Sequence, residues 1–126
     1  MINDFYKTLV AESTAELKEK GSRFIAFAGP ATDSIEAEAI VALLAKKYHD
    51  ATHNCFAYFV GVGPGAHSRY NDDGEPSGTA GKPILQAITG LELTNVVVIV
   101  TRYFGGTKLG TGGLLRAYGG AASQAL

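Results

Sequence analysis

Only one cysteine, Cys55, occurs in the 126 residues. No internal disulfide can form, which fits a reducing cytoplasm. No apolar run approaches the ~20 residues that a membrane span needs, and Met1-Ile2-Asn3-Asp4 lacks a signal-peptide pattern, so neither a membrane partner nor export is expected. Tryptophan is absent, and the formal net charge is only −1. The chain as a whole therefore lacks the basic footprint of a nucleic-acid binder. Hydrophobic residues at 46% against 18% charged exclude disorder and a coiled coil. The length fits one domain over residues 1–126.

Glycine, by contrast, is abundant at 16 residues, implying sharp turns or close backbone approaches. Charge is also unevenly placed. Eleven of the twelve acids lie at or before Glu75, and from Pro76 onward Lys82, Arg102, Lys108 and Arg116 face Glu92 alone. The last third is the part most able to meet an anion.

Residues 5–12, 14–20 and 23–28 read as strands. Asp33 three residues before Glu36 forms a capping-box pattern, and Ile35, Ala39, Ile40, Leu43, Leu44 and Tyr48 follow at helical spacing. A strand over 55–62, a polar loop through His67 and Asp73, and a short helix over 80–88 come next. Residues 96–101 (Val-Val-Val-Ile-Val-Thr) read as a central strand covered on both faces. A glycine-rich loop leads into a last helix from about residue 113. The expected fold is α+β, in the order β-β-β-α-β-α-β-α, with a mixed sheet and helices on one face.

Two loop-to-helix junctions concentrate the chemistry. Residues 102–116 follow a buried strand and open a helix, where free amides and the helix dipole favour anions. Gly105, Gly106, Gly110, Gly112 and Gly113 leave those amides uncovered, Arg102, Lys108 and Arg116 supply cations, and Tyr103 with Phe104 offers rings for stacking a base. No phosphate-loop or dinucleotide fingerprint is complete here, and the same glycines would also serve tight turns. In the second junction, Asp72, Asp73 and Glu75 stand beside Ser77, Thr79 and Lys82 just before a helix. These carboxylates could act as bases or metal ligands; they could equally cap the helix or pair with Arg102 or Arg116. His49, His53 and Cys55 match no common zinc spacing, so no metal is expected, and a His53 ring bonded to a neighbouring loop is the simpler arrangement. Cys55 has no activating partner in the sequence.

The pairing of Asp-Gly-Glu-Pro-Ser-Gly-Thr-Ala-Gly at 73–81 with Thr-Arg-Tyr-Phe-Gly-Gly-Thr-Lys-Leu-Gly at 101–110 strongly resembles one family, the bacterial YigZ-like proteins and the eukaryotic Impact translation regulators. Residues 21–26 and 51–58 carry the same resemblance, which covers most of the chain from Gly21 onward. It implies a two-layer fold similar to the second domain of small-subunit ribosomal protein S-five, an arrangement also used by RNA-meeting translation domains and by small-metabolite kinases. It further implies that this is the Impact-type domain alone, without the ferredoxin-like domain that follows it in bacterial relatives. Fold analogy is a weak warrant for function. The expectation is a module for RNA, DNA or a ribosome-associated partner, using no cofactor. The alternatives are an enzyme on a small phosphorylated or amide substrate, with Asp72, Asp73, Glu75 or His53 as catalytic candidates, and a protein-interaction domain.

Overall fold

A computed structural model describes residues 6–126. Five strands, β1 (Ser13–Glu19), β2 (Ser22–Pro30), β3 (His53–Val60), β4 (His67–Asn71) and β5 (Val96–Tyr103), form one sheet in the order β1-β2-β5-β3-β4. Three helices accompany them: α1 (Ser34–Lys47), α2 (Gly81–Gly90) and α3 (Gly110–Ala125).

The α+β class is as expected, and three details differ. Every pairing between named strands is antiparallel, so the sheet is not mixed. The parallel contact among the described residues is an isolated bridge between Lys7 and Leu93. The expected opening strand over 5–12 is not formed at residues 6–12, and Phe5 lies outside the described residues. A fifth strand instead comes from His67–Asn71, which returns beside β3 after a tight turn at Gly63–Gly65.

The helices also lie on both faces. Along β5, Val96, Val98 and Val100 point to one core with Ile84, Ile88, Leu114 and Tyr118 of α2 and α3. Val97 and Ile99 point to the other, where Ala37 and Leu44 of α1 pack. A strand apolar at consecutive positions has two faces to cover, and residues alternate across it. Helices on one face could not satisfy β5.

Helix α1 starts as its sequence predicts. Asp33 Oδ1 accepts the Glu36 amide at 2.8 Å, and the Glu36 carboxylate accepts the Thr32 amide at 3.2 Å. Its buried stripe, however, runs Ala37, Ile40, Val41, Leu44 and Tyr48, while Ile35 and Leu43 are exposed.

Candidate anion-binding cleft

Strand register builds the floor of the site. Arg102 on β5 is paired with Phe24 on β2 and with His53 on β3, and all three point to the face that carries α2 and α3. The Arg102 side chain is buried. Its Nη1 donates to both oxygens of Glu75, at 3.1 and 2.8 Å, and Nε and Nη2 donate to Ser22 Oγ at 3.4 and 3.3 Å. The guanidinium also sits 5.5 Å from the centre of the Phe24 ring and 5.4 Å from that of Phe104. Glu75, 8% exposed, additionally accepts the Tyr118 hydroxyl from α3. Burial pushes the Tyr118 phenol far up, out of the range where it could ionise.

The acidic loop is sewn to the start of β3. His53 donates from Nδ1 to the Asp73 carbonyl at 2.7 Å, which leaves Nε2 3.4 Å from Glu75 Oε1. Asp73 Oδ2 accepts the Asn54 amide at 2.7 Å, and the Cys55 thiol donates to the Asp72 carbonyl at 3.1 Å. The Asp72 carboxylate accepts three amides, from Gly78 (2.9 Å), Ala80 (3.1 Å) and Gly81 (2.8 Å). It therefore caps α2 from eight and nine residues upstream, where the N-cap residue Ala80 has no side-chain acceptor. Gly81 allows that helix to start against β4, since a Cβ there would lie 2.7 Å from the Tyr70 ring. Each of the three carboxylates is thus committed to an amide, an arginine or a hydroxyl. Burial pushes the Cys55 thiol far up, so Cys55 is an inert core residue.

The two junctions meet. A cleft of about 390 Å³ lies between them, with His53, Glu75 and Pro76 on one side and Phe104, Lys108 and Thr111 among those on the other. Arg102 forms its floor, and Leu109, Gly110 and Leu114 line it too. The start of α3 opens into it. Leu109, the N-cap residue, supplies no side-chain acceptor. The amides of Gly110, Thr111 and Gly112 have no acceptor among the described residues, whereas Asp33 caps α1 and Asp72 caps α2. Residues 104–108 are exposed.

Of the residues singled out from the sequence, His53, Glu75, Arg102, Phe104, Lys108 and Gly110 line this cleft. Others stand elsewhere. Tyr103 points to the opposite sheet face, donating its hydroxyl to Asp50 at 2.8 Å and meeting the Tyr48 ring edge-on. Strand alternation places it there, because it follows Arg102. Gly105 is a packing residue: a Cβ would come within 2.0 Å of the Gly21 backbone, and its amide donates to Ser22 Oγ at 3.1 Å. Arg116, in the second turn of α3, lies over Gly112 and lines a neighbouring groove. Gly106 and Gly112 flank the cleft in sequence, and Gly113 is packed against Leu109. Thr79 is buried and donates to the Pro76 carbonyl at 2.6 Å, while Ser77 and Lys82 are exposed outside the cleft. Arg102 is also not a free cation, since Glu75 neutralises it. Thr52, Pro76, Leu109, Thr111 and Leu114 line the cleft without having been marked by residue chemistry. No cluster of three metal-ligating side chains occurs among the described residues, nor any helix long and apolar enough to cross a membrane.

Comparison with known proteins places this arrangement. Residues 20–126 match the Impact N-terminal domain. The IMPACT family member YigZ of Escherichia coli (strain K12) is 44% identical over 109 residues, covering 85% of the chain and 53% of that protein. A crystal structure described as that of a hypothetical protein superposes with a TM-score of 0.90 at 39% identity, over 94% of the chain and 58% of its own. The two-domain translational regulator Yih1 superposes with a TM-score of 0.59 at 26% identity, over 94% of the chain and 48% of its own. The chain spans about half the length of the curated relatives it matches. With its two characteristic loops folded into one cleft and this similarity running through nearly all of its length, the chain belongs to the Impact family.

Proposed function

We propose that this domain is a binding module linked to translation regulation, and that its cleft receives a phosphate of a nucleic-acid backbone. One observation carries the reading: the uncapped amides of Gly110 and Thr111 lie at a cleft beside the exposed Lys108, and that of Gly112, next along the helix, is uncapped too. Amides without partners at a helix start, together with the helix dipole, favour negative charge there. Arg102 and Glu75 cancel each other in the floor, so the cation on offer is Lys108. Phe104, 48% exposed at the rim, offers a face on which a base can stack. The link to translation comes from the relatives, among them the translational regulator Yih1.

The test is binding of single-stranded RNA to the chain, followed by fluorescence anisotropy at stepped salt. The logarithm of the affinity should fall with that of the salt concentration by about 0.7 for each phosphate contacted. Lys108→Gln should weaken binding alike for all sequences. Absence of salt-dependent binding to RNA and DNA at low ionic strength refutes the reading.

The cleft joining both loops favours a second reading, an enzyme on a small phosphorylated or amide substrate. The carboxylates weigh against it, because Asp72, Asp73 and Glu75 each already hold structural partners. Turnover that survives in the Asp73→Asn variant would remove Asp73 as its base.

A further inference from the structure

A second groove, of about 240 Å³, lies on the other side of Leu109. It runs between the β1–β2 turn and the first turns of α3, and Leu109 lines both it and the cleft. Lys20 and Arg116 line it with Glu19, Leu17 and Gly113. Neither Lys20 nor Arg116 has an acidic partner within salt-bridge distance among the described residues, whereas Arg23 on the same hairpin is paired with Glu16 at 3.0 Å. Arg116 folds back toward the start of its helix, placing Nη1 about where a Cβ on Gly112 would meet it at 3.3 Å. Two cationic hollows thus adjoin, with the largely buried Leu109 between them.

We propose that a single-stranded polynucleotide crosses the start of α3, with one phosphate in the Lys108 cleft and a following phosphate between Lys20 and Arg116. This rests on the function proposed above and specifies its ligand. Phosphates repeated at each nucleotide along a flexible strand suit two adjoining cationic hollows, with the bases hanging from the backbone and Phe104 at the rim to stack one of them. Glu19 opposes a phosphate in the second groove and sets its strength below that of a purely basic site.

The experiment compares a 5′-phosphorylated mononucleotide, which can fill the cleft alone, with an oligonucleotide of six residues. Lys20→Gln/Arg116→Gln should leave the mononucleotide affinity unchanged. It should lower oligonucleotide affinity about tenfold and reduce its salt slope by about 0.7. Glu19→Gln should raise oligonucleotide affinity only. Both positions are exposed, and an unchanged unfolding midpoint verifies folding. If Lys108→Gln weakens both ligands while the double variant weakens neither, the second subsite is refuted and the cleft stands. If neither ligand binds the unaltered chain, the cleft itself is refuted. Equal competition by an acidic peptide of matched charge overturns the polynucleotide in favour of a protein ligand.

Discussion

Replacing Glu75 by alanine should be among the most damaging single changes in this domain. The carboxylate accepts two hydrogen bonds from Arg102 and one from Tyr118 and is almost wholly buried. Without it, the guanidinium of Arg102, whose side chain is 6% exposed, keeps only the Ser22 hydroxyl. Breaking a buried pair from one side costs about 3–5 kcal/mol, because the remaining charge is uncompensated. The stranded Tyr118 hydroxyl pushes the loss toward the upper end. For a domain of this size that is a fall of roughly 10–20 °C in Tm. The Glu75→Leu/Arg102→Met pair should recover most of the loss, since removing both charges together leaves none unpaired. Urea unfolding followed by circular dichroism measures all three proteins. An alanine variant within about 1 kcal/mol of the unaltered chain would refute the structural role of Glu75. A variant more stable than the unaltered chain would mark Glu75 as a functional group held at a cost to folding.

Asp72→Ala removes an acceptor shared by three amides at the start of α2 and should cost about 2 kcal/mol in the same unfolding assay. Asp72→Asn, which keeps one acceptor oxygen, should lose less. Gly105→Ala should destabilise by about 3 kcal/mol, because the added methyl group would overlap the Gly21 backbone. At Glu38, partial burial favours the protonated acid, but hydrogen bonds from Arg69 and Tyr58 outweigh it and hold the carboxyl below its ordinary value. Its contribution to stability is therefore complete above the ordinary glutamate range and is lost as pH falls through the lowered value. Glu38→Gln should flatten the acid limb of the stability–pH curve, and an unchanged limb would contradict the cluster.

Much of this fold is legible in the sequence because local signals agree with tertiary ones. The Asp33–Glu36 cap and the Val-Val-Val-Ile-Val run were each sufficient to place an element. Strand β4 was not legible, since His67-Ser68-Arg69-Tyr70-Asn71 is polar and lies at a sheet edge, where no apolar pattern is demanded. Ile35 and Leu43 misplaced the α1 stripe, because apolar residues are common on protein surfaces and only packing reveals which ones are covered.

The candidate site divides along the same line. That the acids of the 72–75 loop cap a helix or meet an arginine is foreseeable from residue types. That Asp72 reaches Gly81 and that Glu75 takes Arg102 depends on how the loop crosses the sheet, which no spacing states. Likewise Arg102 and Tyr103 are neighbours in sequence and on opposite faces of β5 in space. Alternation along a strand is what separates them. Leu109 carries no chemical signal, yet it divides the two hollows.

The central claim, that unpaired amides at the start of α3 receive a negatively charged group, is tested most directly by backbone amide NMR shifts. A 5′-phosphorylated mononucleotide titrated into the isotopically labelled chain should move Gly110, Thr111 and Gly112 first, together with Lys108, and saturate. Saturating shifts elsewhere while these three amides stay fixed, or no shifts at millimolar ligand, would contradict it.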